Sequence, residues 1–233
     1  MTGNPVRQNV LNTPLSIEEA RESLGLKSDK KTILLVGGSL GARTINRSIM
    51  EHLDLVANTD VQFIWQTGKF YHQQIMEFMK GKELPNLKIM DFIGDMGAAY
   101  KAADLVISRA GASSISEFQL IGKPVILVPS PNVAEDHQTK NAMALVNKHA
   151  AIYVKDSEAP DTLLKLALAC CVFMSLGSVS GRGLSEAGCW ARGRSFHGFH
   201  GTGCIAHFPR DLEGCEAVCP TWTPSGGLSP AGL

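Results

Sequence analysis

Short apolar runs alternate with amphipathic segments along the first 165 residues of the chain. The run from Lys31 to Gly37 (KTILLVG) is β-branched and almost continuously apolar, as a strand covered on both faces requires. Further strands are predicted at Val61 to Gln66, Leu87 to Asp91, Leu105 to Ser108 and Val125 to Val128, and Ala151 to Val154 closes the series. Between them the spacing predicts helices over Ala42 to Val56, Tyr71 to Met79, Met96 to Ala103, Ser114 to Ile121 and Asp136 to Lys148, with a last one beginning near Pro160. An earlier helix starts at Ser16, which has capping-box spacing to Glu19, and ends before Gly25. Strand and helix in strict alternation predict an α/β fold, a Rossmann-like parallel sheet doubly wound by helices. In such a sheet the ligand crevice lies beyond the carboxyl ends of the strands.

The pattern fails after about Lys165. From Cys170 onward there is no lysine and glycine is frequent, and the chain ends CPTWTPSGGLSPAGL. Such a composition does not readily offset the entropy of ordering a core. We divide the chain into a domain over residues 1–168 and an anomalous Gly/Cys-rich tail over residues 169–233. The tail reads as a segment nonhomologous to the domain through a lost frame or a chimera, as a flexible extension, or as a small cysteine-rich module. All six cysteines, Cys170, Cys171, Cys189, Cys204, Cys215 and Cys219, fall there. They form no pair of CxxC knuckles; Cys204, His207, Cys215 and Cys219 offer a zinc-type ligand set only in principle. No metal is expected.

Charge narrows the partners. Twenty-two basic and 22 acidic residues balance to +0, so no general attraction to nucleic acid exists. The first residues lack the basic and apolar regions of a secretory signal, and no apolar run approaches the roughly 20 residues of a spanning helix. This is a cytosol-type sequence that leaves peripheral membrane attachment open.

Candidate chemistry gathers at the predicted strand ends. In Gly37-Gly38-Ser39-Leu40-Gly41, glycine lets backbone N–H groups approach a phosphate at the start of a helix; an ordinary strand-to-helix turn would look the same. The loop lacks the lysine of a P-loop and the full dinucleotide pattern. Gly111, Ala112, Ser113 and Ser114 form a second phosphate-loop candidate. Glu117 there reads either as the capping-box partner of Ser114 or as an acceptor for ribose hydroxyls. After the fifth strand, Gln138 carries both a donor and an acceptor for sugar hydroxyls, and His137 is a helix-start residue or a base. Arg7, beside Gly3-Asn4-Pro5, is a solvated arginine or a clamp on uracil or phosphate.

Six segments carry a more specific signal: TGNPVR, LLVGGSLGAR, FIGDM, AADLVISRAGASSISE, GKPVILVPSP and EDHQTKNA. They resemble consecutive motifs in the carboxyl-terminal half of the bacterial undecaprenyldiphospho-muramoylpentapeptide beta-N-acetylglucosaminyltransferase family. The resemblance covers residues 2 to 165 and not the tail. It implies two Rossmann-like domains in a GT-B arrangement, of which this chain carries the carboxyl-terminal one. It also implies metal-independent, inverting transfer of N-acetylglucosamine from UDP-N-acetylglucosamine to lipid I, giving lipid II for the cell wall at the cytoplasmic face of the membrane, with no cofactor. By the same resemblance Arg7, Ser39, Ile93 and Gln138 are the donor contacts. Ser39 and Gly38 face the diphosphate, Ile93 receives uracil through its backbone, Glu117 binds ribose and Gln138 addresses the sugar, with His137 beside it. The family's preceding acceptor-binding domain and its catalytic histidine have no counterpart here, so the isolated chain is expected not to catalyse transfer. The competing readings are the donor domain of another GT-B transferase and a noncatalytic UDP-binding module.

Overall fold

The computed structural model describes Val6, Val10 and residues 13–179. Its strands are β1 (Thr32–Val36), β2 (Gln62–Gln66), β3 (Leu87–Met90), β4 (Leu105–Ser108), β5 (Val125–Leu127) and β6 (Ile152–Tyr153). The helices are α1 (Ile17–Ser23), α2 (Arg43–Met50), α3 (Leu53–Ala57), α4 (Lys69–Met79), α5 (Met96–Ala102), α6 (Ala112–Ile121), α7 (His137–Val146) and α8 (Ala159–Val179). The six strands form one sheet in the order β3-β2-β1-β4-β5-β6, and every neighbouring pair is parallel. The predicted Rossmann-like winding is therefore present. Its order reverses between β1 and β4, where Val36 lies opposite Ser108.

The period of two along each strand divides the core. Ile33 and Leu35 of β1, Phe63 and Trp65 of β2, and Leu105 and Ile107 of β4 pack on one face. Their alternates Leu34, Ile64 and Val106 pack on the other. The first face is covered by Ile45 and Ile49 of α2, Ile75 of α4 and Leu163, Leu164 and Ala167 of α8. Ala20 of α1, Ala99 of α5, Phe118 of α6 and Leu145 of α7 cover the second. With helices on both faces the strands have no polar side to show, which is why they read as continuous apolar runs.

The amino-terminal edge of the sheet is closed by charge. Arg21 of α1 donates to Asp104 at 2.7 Å, to the Ser28 carbonyl at 2.7 Å and to the Ala102 carbonyl at 3.1 Å. Asp104 also accepts from the Thr32 amide at 2.8 Å and pairs with Lys31 at 3.1 Å. The carboxylate ends this edge with its oxygens satisfied, as a largely buried charge must.

Three boundaries differ from those expected. The helix predicted over Ala42 to Val56 is two, α2 and α3, because His52 takes a non-helical conformation (φ −129°, ψ 39°) between them. The Ser16–Glu19 capping box is present in full at α1. The one at Ser114–Glu117 is absent: α6 begins at Ala112 behind an extended Gly111, so Ser114 sits inside the first turn. Finally, α8 continues through the composition change to Val179, with Cys170 and Cys171 buried at 4% and 1% exposure. The remaining tail cysteines, His207 and Arg7 lie outside the described residues.

Candidate functional site

A cavity of about 750 Å³ opens at the carboxyl ends of β1, β4 and β5, at the reversal of strand order where such a sheet binds ligands. Its floor is Val36 and Ser108, and the glycine loop from Gly37 to Gly41 forms one wall. Gly111 and Ser114, Ser130 to Asn132, and Gln138 form the opposite wall.

The glycine loop is shaped by close packing. Gly41 adopts φ +92°, and a Cβ there would lie 2.2 Å from the Thr67 carbonyl oxygen. The Gly41 amide donates to the Gly38 carbonyl at 3.0 Å, which folds the loop back. Behind it, Asn46 donates to the Thr67 carbonyl at 2.9 Å and accepts from the buried Trp65 indole at 2.9 Å. The loop delivers the chain into α2, whose cap residue Ala42 offers no side-chain hydrogen bond. The first N–H groups of α2 have no acceptor within the helix, and they carry its positive dipole end. The α6 terminus repeats this arrangement, because Gly111 has no side chain with which to cap it. Two helix starts whose cap residues make no side-chain hydrogen bond, with Ser39 exposed beside one and Ser114 half-buried beside the other, border the same cavity.

Gln138 ties the far wall together. Its amide oxygen accepts from the Ser130 N–H at 2.9 Å and the Ala110 N–H at 3.3 Å. Those two bonds fix the amide orientation, and Nε2 is the group left to donate to a ligand. The residue therefore offers a donor alone, where the sequence suggested donor and acceptor together. Asn141 reinforces the link by donating to the Ala110 carbonyl at 3.1 Å. Just before this helix, Glu135 and Asp136 both take left-handed conformations (φ +54° and +51°), which L-residues adopt at a cost.

Of the predicted residues, Gly38, Ser39, Gly111, Ser114 and Gln138 line the cavity. Ala112 and Ser113 are exposed in the first turn of α6, and His137 is exposed at the start of α7; none of the three lines the cavity wall. Ile93 and Glu117 are not part of that wall either. The Ile93 side chain is 2% exposed and packs with the second-face core, which anchors its loop by the side chain. Glu117 is 3% exposed and accepts from the Tyr100 hydroxyl at 2.9 Å, while Tyr100 packs edge-on against Phe118.

The sequence did not single out the charged lining. Arg43, Thr44 and Arg47 of α2, Arg109 after β4 and Asp156 before α8 all border the cavity. Arg109 is ion-paired with Asp156 and donates to the Val128 and Pro129 carbonyls at 2.9 and 3.2 Å. Asp156 also accepts from the Thr44 hydroxyl at 2.9 Å. A charged residue placed directly after a fully buried strand was the available signal for Arg109. Asp156 gave none, since its partners stand 47 and 112 positions away.

Comparison with known proteins accords with this geometry. A UDP-N-acetylglucosamine--N-acetylmuramyl-(pentapeptide) pyrophosphoryl-undecaprenol N-acetylglucosamine transferase of Bacteroides fragilis is 68% identical over 170 residues, covering 72% of this chain and 45% of the relative. The protein of the same name from Cytophaga hutchinsonii is 52% identical over 167 residues, covering 72% and 44%. The chain thus spans about half the length of the curated relatives it matches. Among solved structures, that of Acinetobacter baumannii MurG superposes with a TM-score of 0.56 at 30% identity, over 82% of this chain and 52% of that one. The model of the glycosyltransferase family 28 C-terminal domain matches residues 32–174, from the first strand into the last helix. That match takes in the whole sheet and more than half of the sequence, and the chain belongs to the family of glycosyltransferase family 28 C-terminal domains.

Proposed function

We propose that this chain is the donor-binding part of a transferase that moves N-acetylglucosamine from UDP-N-acetylglucosamine to undecaprenyl-diphospho-muramoyl-pentapeptide, converting lipid I to lipid II in peptidoglycan synthesis. The observation that carries the proposal is the cavity at the reversal of strand order, which the glycine loop and the start of α2 border on one side and Gly111, Ser114 and Gln138 on the other. The names of the relatives at 68% and 52% identity support the choice of donor and acceptor.

In this reading the diphosphate sits on the N–H groups around Gly38 and Ser39 and at the start of α2. As the bond from the anomeric carbon to the β-phosphate oxygen breaks, negative charge grows on the departing UDP. Fixed N–H dipoles aimed at that oxygen favour the transition state over the ground state, because the charge there is larger. The Gln138 amide nitrogen holds a sugar hydroxyl and so helps fix the anomeric carbon for in-line attack. The backbone at Ile93 takes the uracil, and Glu117, its carboxylate held by Tyr100, takes the ribose. For both, the ligand would have to reach past the cavity wall, at the second face of the sheet. Gly111, Ala112, Ser113 and Ser114 supply the second set of N–H groups; Arg7 and His137 complete the set of donor contacts.

A lipid-linked acceptor places the reaction at the cytoplasmic membrane surface, with the protein attached peripherally. No helix among the described residues is long and apolar enough to cross a membrane.

The test is calorimetric titration of UDP-N-acetylglucosamine into the purified chain, its Ser39→Ala and Glu117→Ala variants, with thermal melting in parallel. Saturable binding, weakened about tenfold or more in each variant, is the expected result. The melting temperature should be unchanged in Ser39→Ala and lowered, but with a cooperative transition retained, in Glu117→Ala, which removes the buried acceptor of the Tyr100 hydroxyl. Undiminished affinity in both variants would remove the cavity from the donor site, and equal affinity for an unrelated nucleotide sugar would remove the donor assignment.

A further inference from the structure

Gln66 is the last residue of β2, between β1 and β3 in the sheet, and it is only 3% exposed. A buried primary amide must place one acceptor and two donor hydrogens. Gln66 divides them between two different loops. Its Oε1 accepts from the Gly37 N–H at 3.0 Å, and Nε2 donates to the Gly38 carbonyl at 2.9 Å, both in the glycine loop. Nε2 also donates to the Asp91 carbonyl at 3.0 Å, two residues before Ile93. Among the described residues no other side chain has hydrogen bonds to both loops.

The two loops leave strands that are not neighbours. They start from β1 and β3, about 10 Å apart at the usual strand spacing, with β2 between them. The main chain after β2 also touches each side, through the Thr67 N–H to the Met90 carbonyl at 2.9 Å and the Lys69 N–H to the Ser39 carbonyl at 3.2 Å. The Gln66 amide differs in holding three main-chain groups, one on Gly37, one on Gly38 and one on Asp91. A displacement of either loop therefore breaks a bond to an amide that is itself buried.

We propose that Gln66 is a positioning residue that fixes the distance between the glycine loop and the loop carrying Ile93, and so sets the affinity for a ligand that must touch both, a nucleoside diphosphate. This rests on the donor-site reading above, in which one loop takes the diphosphate and the other the base. A rigid spacing lowers the ordering cost of a ligand that bridges the two loops and does nothing for a ligand that touches one. The effect of losing Gln66 is consequently specific to bridging ligands, which a merely structural role would not produce.

The experiment uses the purified chain with three probes: UDP, uridine and inorganic pyrophosphate. UDP affinity is read by calorimetry and the two weaker ligands by chemical-shift titration. In Gln66→Glu a carboxylate oxygen replaces the amide nitrogen and faces the Gly38 and Asp91 carbonyls, so both loops are pushed off it. In Gln66→Asn the amide stays neutral but is one methylene too short to reach both. Each variant is expected to bind UDP about tenfold more weakly, while uridine and pyrophosphate change by less than about twofold. Should Gln66→Glu fail to fold by circular dichroism, Gln66→Asn carries the test with the same criterion. Unchanged UDP affinity, or a proportional loss for all three probes, overturns the coupling role alone. Absence of saturable UDP binding by the unaltered chain overturns the donor-site reading and the coupling role together.

Discussion

Replacing Gly41 by alanine separates two costs that glycine avoids at once. The backbone there adopts φ +92°, outside the range that L-residues favour, and holding alanine in it costs about 1–3 kcal/mol. The new Cβ would also stand 2.8 Å from the Tyr71 ring and 2.2 Å from the Thr67 carbonyl oxygen, the latter more than an ångström inside the ~3.5 Å of a relaxed contact. Thr67 cannot simply withdraw, because its carbonyl accepts from Asn46, which in turn holds the Trp65 indole. Forcing that chain of bonds apart resembles overpacking a core, at about 1–3 kcal/mol more. Gly38 supplies the control: its φ is +83°, yet a Cβ there meets nothing within 4 Å. Gly41→Ala should therefore lose about 2–6 kcal/mol and Gly38→Ala only the conformational share, about 1–3 kcal/mol. Urea unfolding followed by far-ultraviolet circular dichroism measures both. If the two variants agree to within about 0.5 kcal/mol, the close approach of the loop to Thr67 is not what fixes its shape.

Three further outcomes follow from the charged and buried groups. Asp156→Ala strands the Arg109 guanidinium and the Thr44 hydroxyl, and should cost about 2–4 kcal/mol in urea unfolding; a loss below about 0.5 kcal/mol would show the ion pair to be ornamental. Burial pulls the Lys123 ammonium below the usual 10.5, with Lys101, Arg21 and Lys31 adding to the depression and Asp104 opposing it. Since the folded state gives up that proton before the unfolded state does, stability contributed by this site rises with pH through the interval ending near 10.5. Lys123→Met should accordingly melt higher than the parent at pH 7, with the gap closing as pH approaches 10.5; a gap that widens with pH contradicts the sign. Burial also pushes the Cys171 thiol up to about 12. It should resist iodoacetamide at pH 8 until urea unfolds the chain, as peptide mapping by mass spectrometry would register, and rapid alkylation in native buffer would refute its burial in α8.

The strands were legible because burial on both faces leaves a signature within five residues. TILLV of β1 needs no tertiary information to be read, and its partition between two faces follows from alternation. The capping box at Ser16 was legible for the same reason: both of its hydrogen bonds are local. At Ser114 the same local pattern misled, because an extended Gly111 already begins the helix and the Glu117 carboxylate is drawn inward to Tyr100. The interruption at His52 lacked the glycine or proline that usually announces one. In the site, the glycine loop could be seen from its composition. The tie from Arg109 through Asp156 to Thr44 could not, since it joins three segments that meet only after the sheet is assembled. Gln66 enters the sequence pattern only as the boundary of the strand Val61 to Gln66, and its role depends on which loops lie to either side of β2.

The two edges of this sheet solve opposite problems. At the amino-terminal edge one carboxylate, Asp104, is surrounded by Arg21, Lys31 and the Thr32 N–H, so the local charges and hydrogen bonds answer one another inside the protein. At the carboxyl-terminal edge a parallel sheet necessarily sends the next helix away from the strand ends, and each such helix starts there with N–H groups that it cannot pair. Where the strand order reverses, between β1 and β4, the helices that follow depart on opposite faces. Their starts diverge and leave a gap in place of a contact. Two of the arginines bordering that gap are tied to carboxylates, Arg109 to Asp156 and Arg47 to Glu51, while Arg43 at the start of α2 stays exposed. An anion there meets backbone dipoles as well as arginine, and the dipoles act only while the glycine loop keeps its place, which is why a buried, uncharged glutamine behind that loop can matter alongside an arginine in front of it.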